Sequence, residues 1–150
     1  MTDDSLRSVR IERTAAGRYR ATNPRGGDIV FGSGDDADFT PVELLLAALG
    51  GCTAIDVDIA TSRHAEPSEF TVAVSGNKIS DELGAHMTDL EVRFRVTFPD
   101  GKGGDDARKI LPRAVKSSHD RLCTVSRTIE IGTPVSSIVA SGPETDTADR

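Results

Sequence analysis

Tryptophan is absent from this chain, tyrosine occurs once, phenylalanine five times and cysteine twice. With so few rings, a core has to be assembled mainly from Val, Ile, Leu and Ala. An excess of positive charge is also missing. Eighteen Lys and Arg face 24 Asp and Glu, for a net charge of −6. That argues against nucleic acid or an anionic membrane as partner, because both demand a basic surface. No apolar run reaches bilayer length uninterrupted by charge; 44–55 comes closest, and Asp56 and Asp58 stop it. The start, MTDDSLRS, has no apolar signal core, so the expected compartment is the cytoplasm. A cysteine pair there is not expected to be a permanent structural disulfide. The G-x-S-x-G, P-loop, C-x-x-C, G-x-G-x-x-G and H-E-x-x-H patterns are missing as well.

What is present fits one domain. The 150 residues suffice for a single core. We expect the domain to cover 1–140, and the polar, Pro-containing tail 141–150 to be disordered. Residues 6–14 and 18–22 read as a β-hairpin turning at Gly17, and Asn23-Pro24-Arg25-Gly26-Gly27 as a turn before a short strand at 28–31. Thr40-Pro41-Val42-Glu43 is a helix start. The Thr hydroxyl can cap a free backbone N–H, Pro suits the first turn, and Glu43 completes a capping box. That helix is predicted to run to 63 or 64 and, being apolar nearly all round through Leu49, to be buried. Gly50-Gly51 inside it costs helix propensity, about 1 kcal/mol each relative to Ala. Such a cost accompanies close approach of another backbone.

Strands are predicted at 69–76 and 90–98, with 99–104 as a loop between them and a second helix over 105–122. Ala107, Leu111, Ala114, Val115, Ser118 and Leu122 form one stripe at helical spacing. Pro112 either kinks this helix or starts it. Two further strands are predicted, at 126–131 and 135–139. Strands joined by connections short enough for hairpins, with two helices between them, give an α+β fold with antiparallel sheet.

Chemistry centres on Cys52 and Cys123. The same-face neighbours of Cys52 on a helix are Leu45, Ala48, Leu49, Ile55 and Asp56. Such a thiol can be a buried, inert core residue. An apolar pocket would raise its pKa, and an ionised Asp56 one turn away would raise it further. Cys123, at the end of the second helix, lies near Arg121 and Arg127, with His119 one turn back. Nearby cations favour thiolate there and a helix C-terminus opposes it. His119 and Cys123 have metal-ligand spacing, but two ligands do not make a site, so no metal and no cofactor is expected. His64 and His86 read as solvated. Glu43 lies about 13 Å along the helix from Cys52, on nearly the opposite face, so the two are not expected to pair.

These residues resemble a family. TPVELLLAALGGCTAIDV, together with the second cysteine in SSHDRLCTVSRTIEI, is similar to the OsmC/Ohr superfamily, and ELLLAALGGCTAIDV most to its YhfA-like branch. The likeness extends over 6–139. It implies an OsmC-like fold, with antiparallel sheets wrapped around two central helices in an intertwined homodimer whose sites form at the subunit interface. It implies a thiol-dependent reductase of organic hydroperoxides. Cys52 would attack the peroxide and become a sulfenic acid, Cys123 would close a disulfide, and an external dithiol would reset the pair. The alternative is a non-enzymatic dimer that binds a small hydrophobic or electrophilic molecule in an apolar interface pocket. The chain departs from the peroxidase pattern in two places. Val42 stands where those members carry an acid after the helix-starting Pro, with Glu43 one step on. No arginine occurs in 31–40, which leaves Arg18, Arg20 and Arg25 as regional candidates for the cation beside the thiolate.

Overall fold

The computed structural model describes residues 4–143. Its architecture is α+β, with two antiparallel sheets and three helices. Strands β1 (Arg10–Ala15), β2 (Arg18–Thr22) and β3 (Asp28–Gly32) form a meander. Tyr19 lies opposite Phe31, and their rings stack at 5.6 Å. Strands β4 (Glu69–Asp81) and β5 (Gly84–Thr97) make one long hairpin. Both run well past the expected limits, and their turn is Glu82-Leu83, followed by Gly84 at φ 94°. Period-two alternation turns Phe70, Val72 and Val74 of β4, with Leu90, Val92, Phe94 and Val96 of β5, to the helix side. Phe70 and Phe94 meet edge to face at 6.3 Å.

Helix α1 spans Pro41–Thr61, and its start is the expected one. Thr40 accepts the Glu43 N–H, and the Glu43 carboxylate accepts the Thr40 N–H at 2.7 Å. At 21 residues, α1 is long and apolar enough to cross a bilayer by length and composition, Asp56 and Asp58 notwithstanding. In this fold it is a packed helix, but only on one side. Leu49, Gly50, Thr53, Val57 and Thr61 are buried, whereas Leu45, Ile55 and Ile59 are exposed. The expectation of burial all round fails within a single chain, because the hairpin and the other helices cover only one stripe.

The two central glycines have different reasons. A Cβ on Gly50 would lie 2.4 Å from Val74 Cγ2, so it is the side chains of β4, not another backbone, that need the space. A Cβ on Gly51 would meet nothing within 4 Å.

The second half departs further from the sequence reading. Helix α2 (Lys102–Ser117) begins inside the expected loop. Gly103 and Gly104 allow this start, since Cβ atoms there would overlap the carbonyls of His64 and Pro99. Pro112 lies inside a continuous helix. A π-turn (Ser118–Leu122) follows, and then α3 (Thr124–Glu130) occupies the place of the strand expected at 126–131. Residues 133–140 form no strand within the chain; Val135, Ile138 and Val139 are 91%, 87% and 99% exposed. Of the expected tail, 141–143 carry no helix or strand, and 144–150 lie outside the described residues.

Gly50→Ala is expected to destabilise the protein by about 1–3 kcal/mol, because a stiff β-branched side chain has to move. Urea unfolding measures this directly. Unchanged stability would mean that β4 does not set the depth of α1.

Candidate functional site

The residues around Cys52 and Cys123 come from three elements. Cys52 sits on α1 at the margin between its buried and exposed stripes and is half-buried. Cys123 is wholly buried, at 0% exposure. Its placement follows from the π-turn. The Cys123 N–H donates to the Ser118 carbonyl at 2.8 Å, the i→i+5 bond that widens a helix by one residue. Ser118, itself fully buried, donates from Oγ to Asp56 Oδ2 at 2.7 Å and so ties this turn to α1, one turn past Cys52. At φ −70°, ψ 101° the chain then leaves the helix and Cys123 becomes the N-cap of α3.

Capping directs backbone donors at sulfur. Cys123 Sγ accepts the Ser126 N–H at 3.3 Å, and Thr53 Oγ1 lies 3.4 Å away. Cys52 is the titratable neighbour of Cys123, and the backbone N–H groups of Val125 and Thr124 act to lower its pKa. For Cys123, burial pushes the pKa up. The bonds from Thr53, Ser126, Cys52 and Val125 outweigh that, and the net shift is downward. For Cys52, burial again raises the pKa, and the backbone donors of Val125 and Thr124 offset this only in part. Its bond to Cys123 and the charge there raise it further. Burial thus wins at Cys52, whereas fixed donors win at Cys123.

Two expectations change here. A helix C-terminus does not oppose the Cys123 thiolate, because α3 starts at that residue and presents free N–H groups. Asp56 is not what raises Cys52, since its carboxylate is turned to Ser118. His119 does not join Cys123 as a metal ligand either. Nδ1 faces Asp120 Oδ1 at 2.9 Å and Nε2 faces Glu130 Oε1 at 2.8 Å, and these carboxylates raise its pKa, Asp120 first. Among the described residues no His, Cys, Asp and Glu group is arranged to hold a metal ion.

The other candidates gather elsewhere. Arg18 pairs with Asp36 and, at 2.6 Å, with Asp38; Arg20 lies 3.7 Å from Asp28. The Glu43 pKa is lowered by the Thr40 backbone N–H and then by its hydroxyl, which is the cap itself. Glu43, Asp36 and Asp38 border a separate polar pocket at the start of α1. An apolar cavity of about 260 Å³ lies between α1, β5, α2 and α3. Leu49, Val92, Phe94 and Ile129 line it, together with Thr53 and Ser126, the two residues that donate to Cys123.

Thr53, Ser118 and Ser126 were not legible as site residues. Cysteine is not among the usual N-cap types, so Cys-Thr-Val-Ser gives no capping signal.

Residues 33–137 match the family model described as OsmC-like protein. The uncharacterized protein Rv2923c of Mycobacterium tuberculosis is 30% identical over 127 residues, which cover 83% of this chain and 90% of that protein. Among solved structures, an OsmC-like protein of unknown function from Vibrio cholerae superposes with a TM-score of 0.70 at 17% identity, covering 84% of this chain and 94% of the other. A hypothetical protein from Aquifex aeolicus gives 0.68 at 20% identity, covering 86% and 90%.

The charge distribution has a measurable consequence. In the single-thiol variants Cys52→Ser and Cys123→Ser, ultraviolet thiolate absorbance is expected to appear at lower pH for Cys123 than for Cys52. The opposite order would remove the charge from Cys123.

Proposed function

The chain belongs to the OsmC-like protein family, and from that premise we propose that it is a cytoplasmic, homodimeric, thiol-dependent reductase of organic hydroperoxides with Cys52 and Cys123 as its working pair. One observation carries the reading. Cys52 is partly exposed and Cys123 wholly buried, the two are titratable neighbours, and Cys123 accepts the Ser126 N–H. Exposure assigns the attacking role to Cys52, because a peroxide cannot touch a sulfur with no accessible surface. Electrostatics assign the negative charge of the resting pair to Cys123.

The two roles are compatible. Cys52 passes its proton to the neighbouring Cys123 thiolate and attacks the terminal peroxide oxygen as a thiolate, and the O–O bond breaks. The leaving alkoxide takes that proton from Cys123 and departs as the alcohol. Cys52 is then a sulfenic acid and Cys123 again a thiolate. Cys123 attacks the Cys52 sulfur, the S–O bond breaks, and the released hydroxide takes a proton from solvent to become water. An external dithiol reduces the disulfide by two exchange steps and is itself oxidised. The N–H groups of Thr124 and Val125 stand in for the missing arginine, offering Cys52 fixed donors while charge passes through it.

The exposed stripe of α1 and the uncovered 133–140 segment support the homodimer. Leu45, Ile55 and Ile59 form an apolar face with Gly51 open at its edge, and Val135, Ile138 and Val139 are exposed. Apolar surface of this extent marks an interaction site. The apolar cavity favours a second reading, that of a dimer that binds a small hydrophobic molecule without turning it over.

Stopped-flow oxidation of the reduced protein by cumene hydroperoxide separates the two readings. Consumption is expected to exceed that by free thiol at least a hundredfold, on the order of what general acid–base assistance supplies, and to disappear in Cys52→Ser. A rate equal to that of free thiol sinks the reductase reading in favour of the binding one. Sedimentation velocity is expected to give twice the monomer mass, and Ile55→Asp to give the monomer. A wild-type monomer would reject the dimer.

A further inference from the structure

We propose that Thr53 is a positioning residue for Cys123, its single hydroxyl proton moving from the Leu49 carbonyl to the Cys123 sulfur as that sulfur takes on negative charge. Thr53 Oγ1 lies 3.1 Å from Leu49 O and 3.4 Å from Cys123 Sγ. A hydroxyl has one proton, so it can donate to only one of them at a time. The Leu49 carbonyl, inside α1, accepts a backbone N–H four residues on whichever way the hydroxyl turns. Losing the hydroxyl therefore leaves no orphan there. The sulfur has no such reserve. Cys123 is 0% exposed, and Thr53 and Ser126 are each 5% exposed, so water does not replace a missing donor.

Two arrangements follow. With Cys123 neutral, its S–H can donate to Thr53 Oγ1 while Thr53 donates to Leu49. With Cys123 ionised, the hydroxyl rotates and donates to sulfur beside the Ser126 N–H. The charged groups on the surrounding elements are engaged elsewhere. Asp56 of α1 accepts from Ser118, His119 of the π-turn faces Asp120 and Glu130, and Arg127 of α3 pairs with Glu130 at 2.9 Å. Cys52 is the remaining titratable neighbour. On the reductase reading, the same hydroxyl keeps Cys123 a thiolate while Cys52 becomes a sulfenic acid, and so speeds disulfide closure. This kinetic part rests on that reading; the titration does not.

The test compares Thr53→Val, which keeps shape and removes the hydroxyl, with Thr53→Ser, which keeps the hydroxyl. In a Cys52→Ser background, Thr53→Val is expected to leave roughly tenfold less Cys123 thiolate at a given pH, a rise of about one pH unit in the midpoint. Thr53→Ser is expected to restore it. With both cysteines present, the pair equilibrated against dithiothreitol is expected to shift about tenfold towards disulfide in Thr53→Val, because the reduced form has lost its stabilised thiolate. Equal midpoints for Thr53→Val and the parent overturn the proposal. A shifted midpoint in a protein that consumes no peroxide supports the Thr53 role while the reductase reading falls. If Thr53→Val does not fold, Thr53→Ala against Thr53→Ser makes the same contrast, and equal midpoints there overturn it too.

Discussion

The Cys123 sulfur is wholly buried, and a negative charge on it has to be met by fixed donors from the chain. The rest of the structure depends on that constraint. Short-range donors supply the stabilisation: the Ser126 N–H and the Thr53 hydroxyl beside Cys123. Burial makes each donor count, because water is not there to replace it. Burial also makes the pair unequal. Cys123 has the donors and no exposed surface, whereas Cys52 keeps some exposure.

The fold around this site sets the distance between α1 and α3. Gly50 lets α1 sink onto Val72 and Val74 of β4, which brings the Thr53 stripe inward. The Ser118–Asp56 bond fastens the π-turn to the same helix, and the extra residue in that turn lets the chain bend so that Cys123 can cap the next helix. Glycine, a buried hydroxyl and a π-turn are each unfavourable in isolation. Together they aim the first turn of α3 at the thiols.

Much of the first half was legible because its signals are local. The Thr40–Glu43 capping box, the Gly17 turn and the alternation in β4 and β5 are properties of a few adjacent residues, and all form as the residues dictate. The second half was not legible in the same way. Residues 126–131, Ser-Arg-Thr-Ile-Glu-Ile, carry strand-like side chains, yet the segment is helical because its buried Ser126 packs onto Cys123 and α1. Here tertiary contact overrides a weak local preference. The segment 133–140 keeps its strand-like pattern but finds no sheet within the chain.

Sequence alone determined the family, the α+β class and the start of α1, because composition, capping and motif wording are carried by neighbours in the chain. Only the tertiary structure decided which sulfur is buried, and that the Thr53 hydroxyl and the Ser126 N–H lie against it. Those facts depend on groups distant in sequence meeting within hydrogen-bond range, and no local pattern encodes such a meeting. The same reason changes what lowers the Cys123 pKa: not the neighbouring arginines, of which Arg127 pairs with Glu130, but the donors that converge on its sulfur.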